Sequence, residues 1–325
     1  MKRILSILTA AVLAAASFCG CSTADKPAGT GKLQIVTTIF PEYDWVNNIL
    51  GSNPANAEVT LLTDNGTDLH SFQPTASDIL KISSCDLFIY VGGESDEWVE
   101  DVLKEAVNKD MVVINLLDEL GDSVKEEETV EGMQPEEGED EDEEETEYDE
   151  HVWLSVKNAI TLVGSIENAV STVDPANAGS YKSNADAYIN NLKDLDAEYQ
   201  SVVKNASVKT LLFGDRFPFR YLTDDYGLDY YAAFAGCSAE SEASFETITF
   251  LSKKADELSL PAVITIEGSD KRIAKTIVEN TDSKDQQIIS LDSMQSVTSQ
   301  DVKDGATYIS VMSENLEVLK TALGY

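Results

Sequence analysis

Two residues dominate any search for chemistry in this chain of 325 residues, because they are its only histidines, His70 and His151. His70 lies in Gly66-Thr67-Asp68-Leu69-His70-Ser71-Phe72-Gln73-Pro74, a turn-rich stretch that follows a strand pattern. His151 lies in Tyr148-Asp149-Glu150-His151-Val152-Trp153-Leu154, where an acidic run meets a helix. Neutral imidazole is the commonest protein ligand for a transition metal, and two imidazoles on loop ends invite that reading. Each ring taken alone would serve equally well as a surface or capping residue. A metallohydrolase is the enzymatic alternative, with two histidines and carboxylates around one open position. The usual signatures of catalysis are missing from the sequence: no His-Glu-x-x-His helix, no Gly-x-Ser-x-Gly elbow and no paired-metal cluster. Binding without turnover is the expectation.

The elements that must carry these loops alternate short β-branched runs with amphipathic helices, an α/β grammar. Strands are expected at Leu33–Thr38, Glu58–Leu62, Leu87–Val91 and Met111–Asn115. Helices are expected from Pro41 to Asn48, stopped by Gly51, from a Thr75 cap to about Ile82, and from Ser95 to Ala106. The second half repeats the pattern, with strands at Lys209–Phe213, Leu228–Phe234, Ala262–Ile266 and Gln287–Leu291. Its helices are expected at Ser244–Leu258, Lys271–Asn280 and Gly305–Leu323. Between the halves, residues 176–205 hold no proline and form a helix of about 45 Å, a rigid strut. The expected organisation is an N-terminal lobe over 31–173, a linking helix over 174–206 and a C-terminal lobe over 207–325. Each lobe is a small sheet flanked by helices, and a cleft between lobes is a usual place for a small ligand. One stretch breaks the grammar: residues 126–150 hold sixteen acidic side chains in twenty-five positions without a Lys or Arg. Such a run repels itself and reads as a mobile loop.

The first thirty residues are of another kind. Lys2 and Arg3 precede an apolar segment, Ile4 to Phe18, of signal-peptide length. Gly20-Cys21 then resembles the lipobox of bacterial lipoproteins, which implies a leader over 1–20, lipidation at Cys21 and an extracytoplasmic protein anchored to the membrane by lipid. Residues 21–30 are small and polar and read as a tether. Cys85 and Cys237, far apart in the sequence, make no disulfide framework. The net charge of −36 excludes nucleic-acid binding, which needs clustered Lys and Arg, and is that of a protein attractive to cations.

Several segments, in this order, resemble the metal-specific solute-binding proteins of ABC importers, the zinc and manganese receptors, and most of all the zinc-uptake branch. Val36-Thr37-Thr38-Ile39-Phe40-Pro41-Glu42-Tyr43-Asp44 is similar to that family's opening strand and helix. The His70 and His151 segments are similar to its two N-lobe ligand motifs. Asp86-Leu87-Phe88-Ile89-Tyr90-Val91-Gly92-Gly93 with Glu97-Trp98 matches the part between them. Ile266-Glu267-Gly268-Ser269, Ser290-Leu291-Asp292 and Tyr308-Ile309-Ser310-Val311-Met312 match the C-terminal end. The resemblance implies a monomeric receptor that holds one metal ion in the interlobe cleft and passes it to an ABC-importer permease in the membrane. It implies His70 and His151 as ligands, Asp292 as the carboxylate that closes the site, and Glu267 as a cleft-facing acid that supports the ligands or occasionally serves as one.

At one place the sequence departs from that family. The family's third ligand, His or Glu, aligns with Arg216, which has no lone pair to offer a metal. Three substitutes are open: Asp215 after a one-residue shift, an Arg216 salt bridge with water completing the shell, or Cys237. Imidazole with carboxylate suits Zn²⁺ or Mn²⁺; the long insertion before His151 resembles the zinc branch, and manganese is the alternative cargo. A metal-dependent surface adhesin is a further alternative, since relatives in this family carry that label. The acidic run stands where zinc receptors often carry a histidine-rich loop. It either concentrates cations near His151 or is a solvated insertion.

Overall fold

The computed structural model describes residues 32–134, 147–238 and 242–325. The expected leader, Cys21 and tether lie outside them, as does the middle of the acidic run. Among the described residues, β1 (Gln34–Thr37), β2 (Glu58–Leu61), β3 (Leu87–Tyr90) and β4 (Val112–Asn115) form one sheet in the order β2-β1-β3-β4. A second sheet holds β5 (Thr210–Arg216), β6 (Asp229–Phe234), β7 (Ala262–Ile266) and β8 (Gln287–Leu291) in the order β6-β5-β7-β8. All pairings within the two sheets are parallel. Parallel sheets are covered on both faces, so their strands read as unbroken apolar runs. The buried Leu87-Phe88-Ile89 and the fully buried β7 show this.

The helices are α1 (Phe40–Leu50), α2 (Ala76–Ser84), α3 (Trp98–Lys104), α4 (Leu116–Leu120), α5 (Val156–Val173) and α6 (Ala178–Asn205). They continue as α7 (Arg220–Tyr226), α8 (Phe245–Glu257), α9 (Arg272–Asn280), α10 (Ser299–Lys303) and α11 (Tyr308–Ala322). Thr75 caps α2 as expected, accepting from Asp78 N while Asp78 reaches back to Thr75 N. The expected helix from Ser95 is instead a 3₁₀ turn, Glu94–Asp96, followed by α3. Asp96 is the cause: its Oδ2 accepts from both Val91 N and Gly92 N at 3.0 Å, tying the turn back to the end of β3. β5 extends three residues beyond the expected Phe213 and carries Asp215 and Arg216 on its carboxyl end.

The linking helix forms, about 42 Å long for its 28 residues. It is more than a strut. Tyr181, Ala185, Tyr188, Leu192, Leu195, Tyr199, Val202 and Val203 make a buried stripe along its whole length. That stripe belongs to one apolar cluster that also holds Trp45 and Ile89 from the first half and Phe213 and Ile264 from the second. Lys32–Tyr325 is accordingly one compact unit. Polar ties cross between the halves too: Trp153 Nε1 donates to Ser293 O at 2.9 Å, and the Tyr308 hydroxyl donates to Trp153 O at 2.7 Å.

The expectation of one mobile loop over 126–150 fails at both ends. Glu126 bridges Tyr148, and Glu127 N donates to Glu147 O at 2.9 Å. Gln134 N donates to Ala233 O at 3.0 Å, Met133 is buried, and Glu128 pairs with Arg220. Charge density misleads here because the run carries Val130 and Met133 beside the carboxylates, and these pack against the core. Residues 135–146 lie outside the described part.

Candidate metal centre

In both sheets the loops that matter leave the carboxyl ends of parallel strands, where open α/β sheets place their ligands. The loop after β2 carries a 3₁₀ turn, Leu69–Ser71, capped by Asp68, whose Oδ1 accepts from His70 N at 3.1 Å. His70 Nδ1 lies 2.8 Å from Ser95 Oγ, in the turn after β3. This leaves Nε2 facing inward. His151 opens a second 3₁₀ turn, Val152–Leu154, and is fully buried. Asp149 Oδ1 accepts from His151 N at 2.8 Å and from its Nδ1 at 3.0 Å. The Tyr221 hydroxyl in turn fixes Asp149 by donating to its carbonyl at 2.8 Å. A carboxylate on Nδ1–H sets the tautomer and leaves the Nε2 lone pair for a metal.

The two Nε2 atoms are 3.1 Å apart. Two nitrogens bound to one tetrahedral ion at ~2.05 Å stand roughly 3.3 Å apart, so the pair already has the edge length a shared ion requires. Cys237 Sγ joins them: one ligand atom from each of His70, His151 and Cys237 lies within 4.8 Å of the others, the one such trio of His, Cys or acid among the described residues. Cys237 reaches this place from the loop after β6. Its neighbour Gly236 has room for no side chain, since a Cβ there would meet Phe217 O at 2.9 Å and His151 Cε1 at 3.1 Å.

Electrostatics separates the two rings. Burial, and then the neighbouring His151, push His70 down to about 3, so it is neutral at any ordinary pH. Burial opposes charge on His151 most strongly, but the Asp149, Glu150 and Glu127 carboxylates together outweigh it and the net shift is upward. Glu150 completes the surroundings. Its Oε1 accepts from Ser95 N at 2.8 Å, while its Oε2 lies 3.4 Å from His70 Nδ1. Burial raises its pKa.

The carboxylates expected from the second half do not join the trio. Glu267 is occupied, accepting from Ser293 N and Ser293 Oγ at 2.7 Å and from Gln295 N at 3.2 Å; it holds the loop after β8. Asp292 stands in that loop, its Oδ1 accepting from Met294 N at 2.7 Å. Burial and then Glu267 push its carboxyl up to about 6. Asp215 caps the backbone of Arg216 at 2.9 Å and faces a cavity of about 310 Å³ with Glu267 and Arg272. Arg216 does not face a metal at all. Its Nη2 meets Asp68 Oδ2 at 2.8 Å, so the arginine pins the second half onto the carboxylate that caps His70. Sequence reasoning assigned no role to Asp149, Ser95 or Glu150. Asp149 was findable, two residues before His151 in the same motif. Ser95 had no signal, because only the β3 turn brings it beside His70.

A model of the ZnuA family, described as zinc-uptake complex component A, periplasmic, matches residues 35–322. The chain is 32% identical over 324 residues to the zinc-binding lipoprotein AdcA of Streptococcus pneumoniae, covering 98% of this chain and 61% of that protein. It is 29% identical over 323 residues to the high-affinity zinc uptake system protein ZnuA of Bacillus subtilis, covering 98% and 97%. It superposes on the Zn(II)-bound ZnuA-like domain of S. pneumoniae AdcA with a TM-score of 0.70 at 30% identity, covering 91% of this chain and all of that one. The chain spans between 56% and 61% of the length of the AdcA relatives it matches.

Proposed function

This chain belongs to the ZnuA family of zinc-uptake components, and on that premise we propose that it is the extracytoplasmic receptor of a zinc importer. In this reading it captures Zn²⁺ between its halves and delivers the ion to an ABC-type permease. The family is one of transport receptors rather than enzymes, and the zinc names of its relatives favour zinc over manganese as cargo. The observation that carries the reading is the 3.1 Å approach of the His70 and His151 Nε2 atoms, with the outer nitrogen of each ring engaged by Ser95 or Asp149. Two ring nitrogens already at a tetrahedral edge length need little movement to share one zinc ion.

His70 and His151 are the ligands on which the proposal rests. Asp292 is a candidate for the remaining coordination, with one oxygen engaged by Met294; Glu267 and Asp215 are assigned to holding their loops. Anchoring through acylated Cys21 and action as a monomer belong to the same proposal. The pneumococcal relative is named a lipoprotein, which supports the anchor.

Calorimetric titration of the metal-stripped protein with Zn²⁺ and Mn²⁺ tests the core of it. One-to-one zinc binding, tighter than manganese, is expected, with His70→Ala and His151→Ala each weakening it by about 100-fold or more. Weak multi-site binding indifferent to both substitutions would mean that only the acidic run attracts metal, and the receptor assignment would be withdrawn.

A further inference from the structure

We infer that the Cys237 thiolate is the third zinc ligand of this protein and the residue that sets its preference for zinc over manganese. The inference rests on the zinc-receptor reading above and goes beyond it, since a soft thiolate widens the preference for zinc that two imidazole nitrogens give only in part. Arg216 stands where the resemblance puts a ligand, and it is committed to Asp68. The trio of His70, His151 and Cys237 puts a sulfur where no imidazole or carboxylate of the second half reaches.

Three neighbours fix that sulfur's loop. Phe217 O and the His151 ring fill the space that a side chain at Gly236 would need. Glu127, at the root of the acidic run, accepts from Cys237 N at 3.2 Å. The thiol is free, and Cys85, the other cysteine among the described residues, is buried in a separate core beside Phe88 and Val99. A nitrogen and a sulfur sharing a tetrahedral zinc stand ~3.6 Å apart. The longest edge of the trio, no more than 4.8 Å, needs to shorten by at most about 1.2 Å to meet that value.

The chemistry balances without any redox partner. Zn²⁺ enters, the S–H proton leaves to solvent, and the sulfur lone pair forms the Zn–S bond. The thiolate supplies the negative charge that two neutral rings lack. It is a soft donor, favouring Zn²⁺ strongly over hard Mn²⁺. Two nitrogens and one sulfur leave a fourth position for water or for Asp292, an opening through which a permease can take the ion.

Cobalt reports on sulfur directly. The purified, metal-stripped protein loaded with one Co²⁺ should show an intense thiolate-to-cobalt charge-transfer band in the near ultraviolet, and Cys237→Ser should abolish it. In the same variant, one-to-one zinc binding should persist through the histidines but weaken by about 100-fold, while manganese affinity barely changes. A wild-type cobalt complex without that band, together with unaltered zinc affinity in Cys237→Ser, overturns the thiolate assignment and leaves the histidine receptor standing. Zinc binding unaffected by His70→Ala and His151→Ala as well overturns both. The wild-type spectrum needs no variant, so a folding defect in Cys237→Ser cannot obscure the answer.

Discussion

At the scale of the residue, the site is a pair of imidazoles whose outer nitrogens are spoken for. The asymmetry between them has a consequence in pH. Among the imidazoles, protons compete with zinc only for a ring that accepts them, and His70, held down to about 3, takes none above pH 5; the S–H proton of Cys237, held up by burial, adds a steady slope rather than a bend. His151 is shifted upward by Asp149, so its proton competes from above the ordinary imidazole value of about 6.5. Zinc affinity should therefore bend downward as pH falls through the His151 value, with no second imidazole bend down to about pH 5. Asp149→Asn removes the raising charge: the bend should move to lower pH, and affinity at pH 8 should fall by 10- to 100-fold. Titrations between pH 5 and 8 check both; an unmoved bend would assign the proton to another group. Asp96 gives a separate test, on stability. Burial pushes its carboxyl up to about 7. A folded pKa above the unfolded one gives stability that is whole below about 3.9 and lost as pH rises through 7. Asp96→Asn keeps an oxygen for Val91 N and Gly92 N and removes the titrating group. Melting of the metal-stripped variant should be flatter between pH 4 and 8 than wild type, and at pH 8 no less stable.

At the scale of the element, the acidic run divides into packed ends and a middle. Its ends hold the Cys237 loop, through Glu127, and the Ala233 edge, through Gln134. A deletion from Val130 to Glu147 would remove Gln134 and the Glu147 carbonyl that receives Glu127 N along with the charge, so a cleaner test replaces only residues 135–146 with a Gly-Ser linker of equal length. Stability should change little. If the carboxylates concentrate cations at the site, the zinc association rate at low salt should fall several-fold, and the difference should vanish at high salt. An equal rate at low salt would leave the middle as a solvated insertion. The linking helix behaves differently from a hinge. Its buried stripe runs through one core shared by both sheets, so large separation of the halves would expose apolar surface at about 25 cal/mol per Å². Small adjustments of the loops around the trio cost far less.

At the scale of the molecule, the proposed site draws its trio from both halves, and a ligand bound there should stabilise the whole unit. Binding to the folded state alone, at free zinc one hundred times the dissociation constant, stabilises by about 2.7 kcal/mol. For a unit of this size that corresponds to a rise in Tm of roughly 5 °C. Calorimetric melting should show it for wild type and not for His151→Ala at the same zinc concentration. A rise of equal size in the variant would place the stabilising zinc elsewhere.

The sequence by itself determined the α/β class, the strand positions to within a residue or two except at the carboxyl end of β5, the long helix and both histidines. These are local facts: β-branched runs, caps and the rarity of histidine are written in consecutive residues. Asp149 was equally local, yet its role depends on which side of the His151 ring it meets. Tertiary structure alone decided the rest. Ser95 reaches His70, Arg216 reaches Asp68 across 148 positions, and Cys237 reaches the histidine pair, because parallel strands of two sheets end at a common place. Glu267 looked like a ligand until the loop after β8 supplied it with three donors. The physical reason is the same in each case. A side chain's chemistry is set by the partners that fill its hydrogen-bonding capacity, and in a crossover fold those partners come from distant segments that no sequence pattern places side by side.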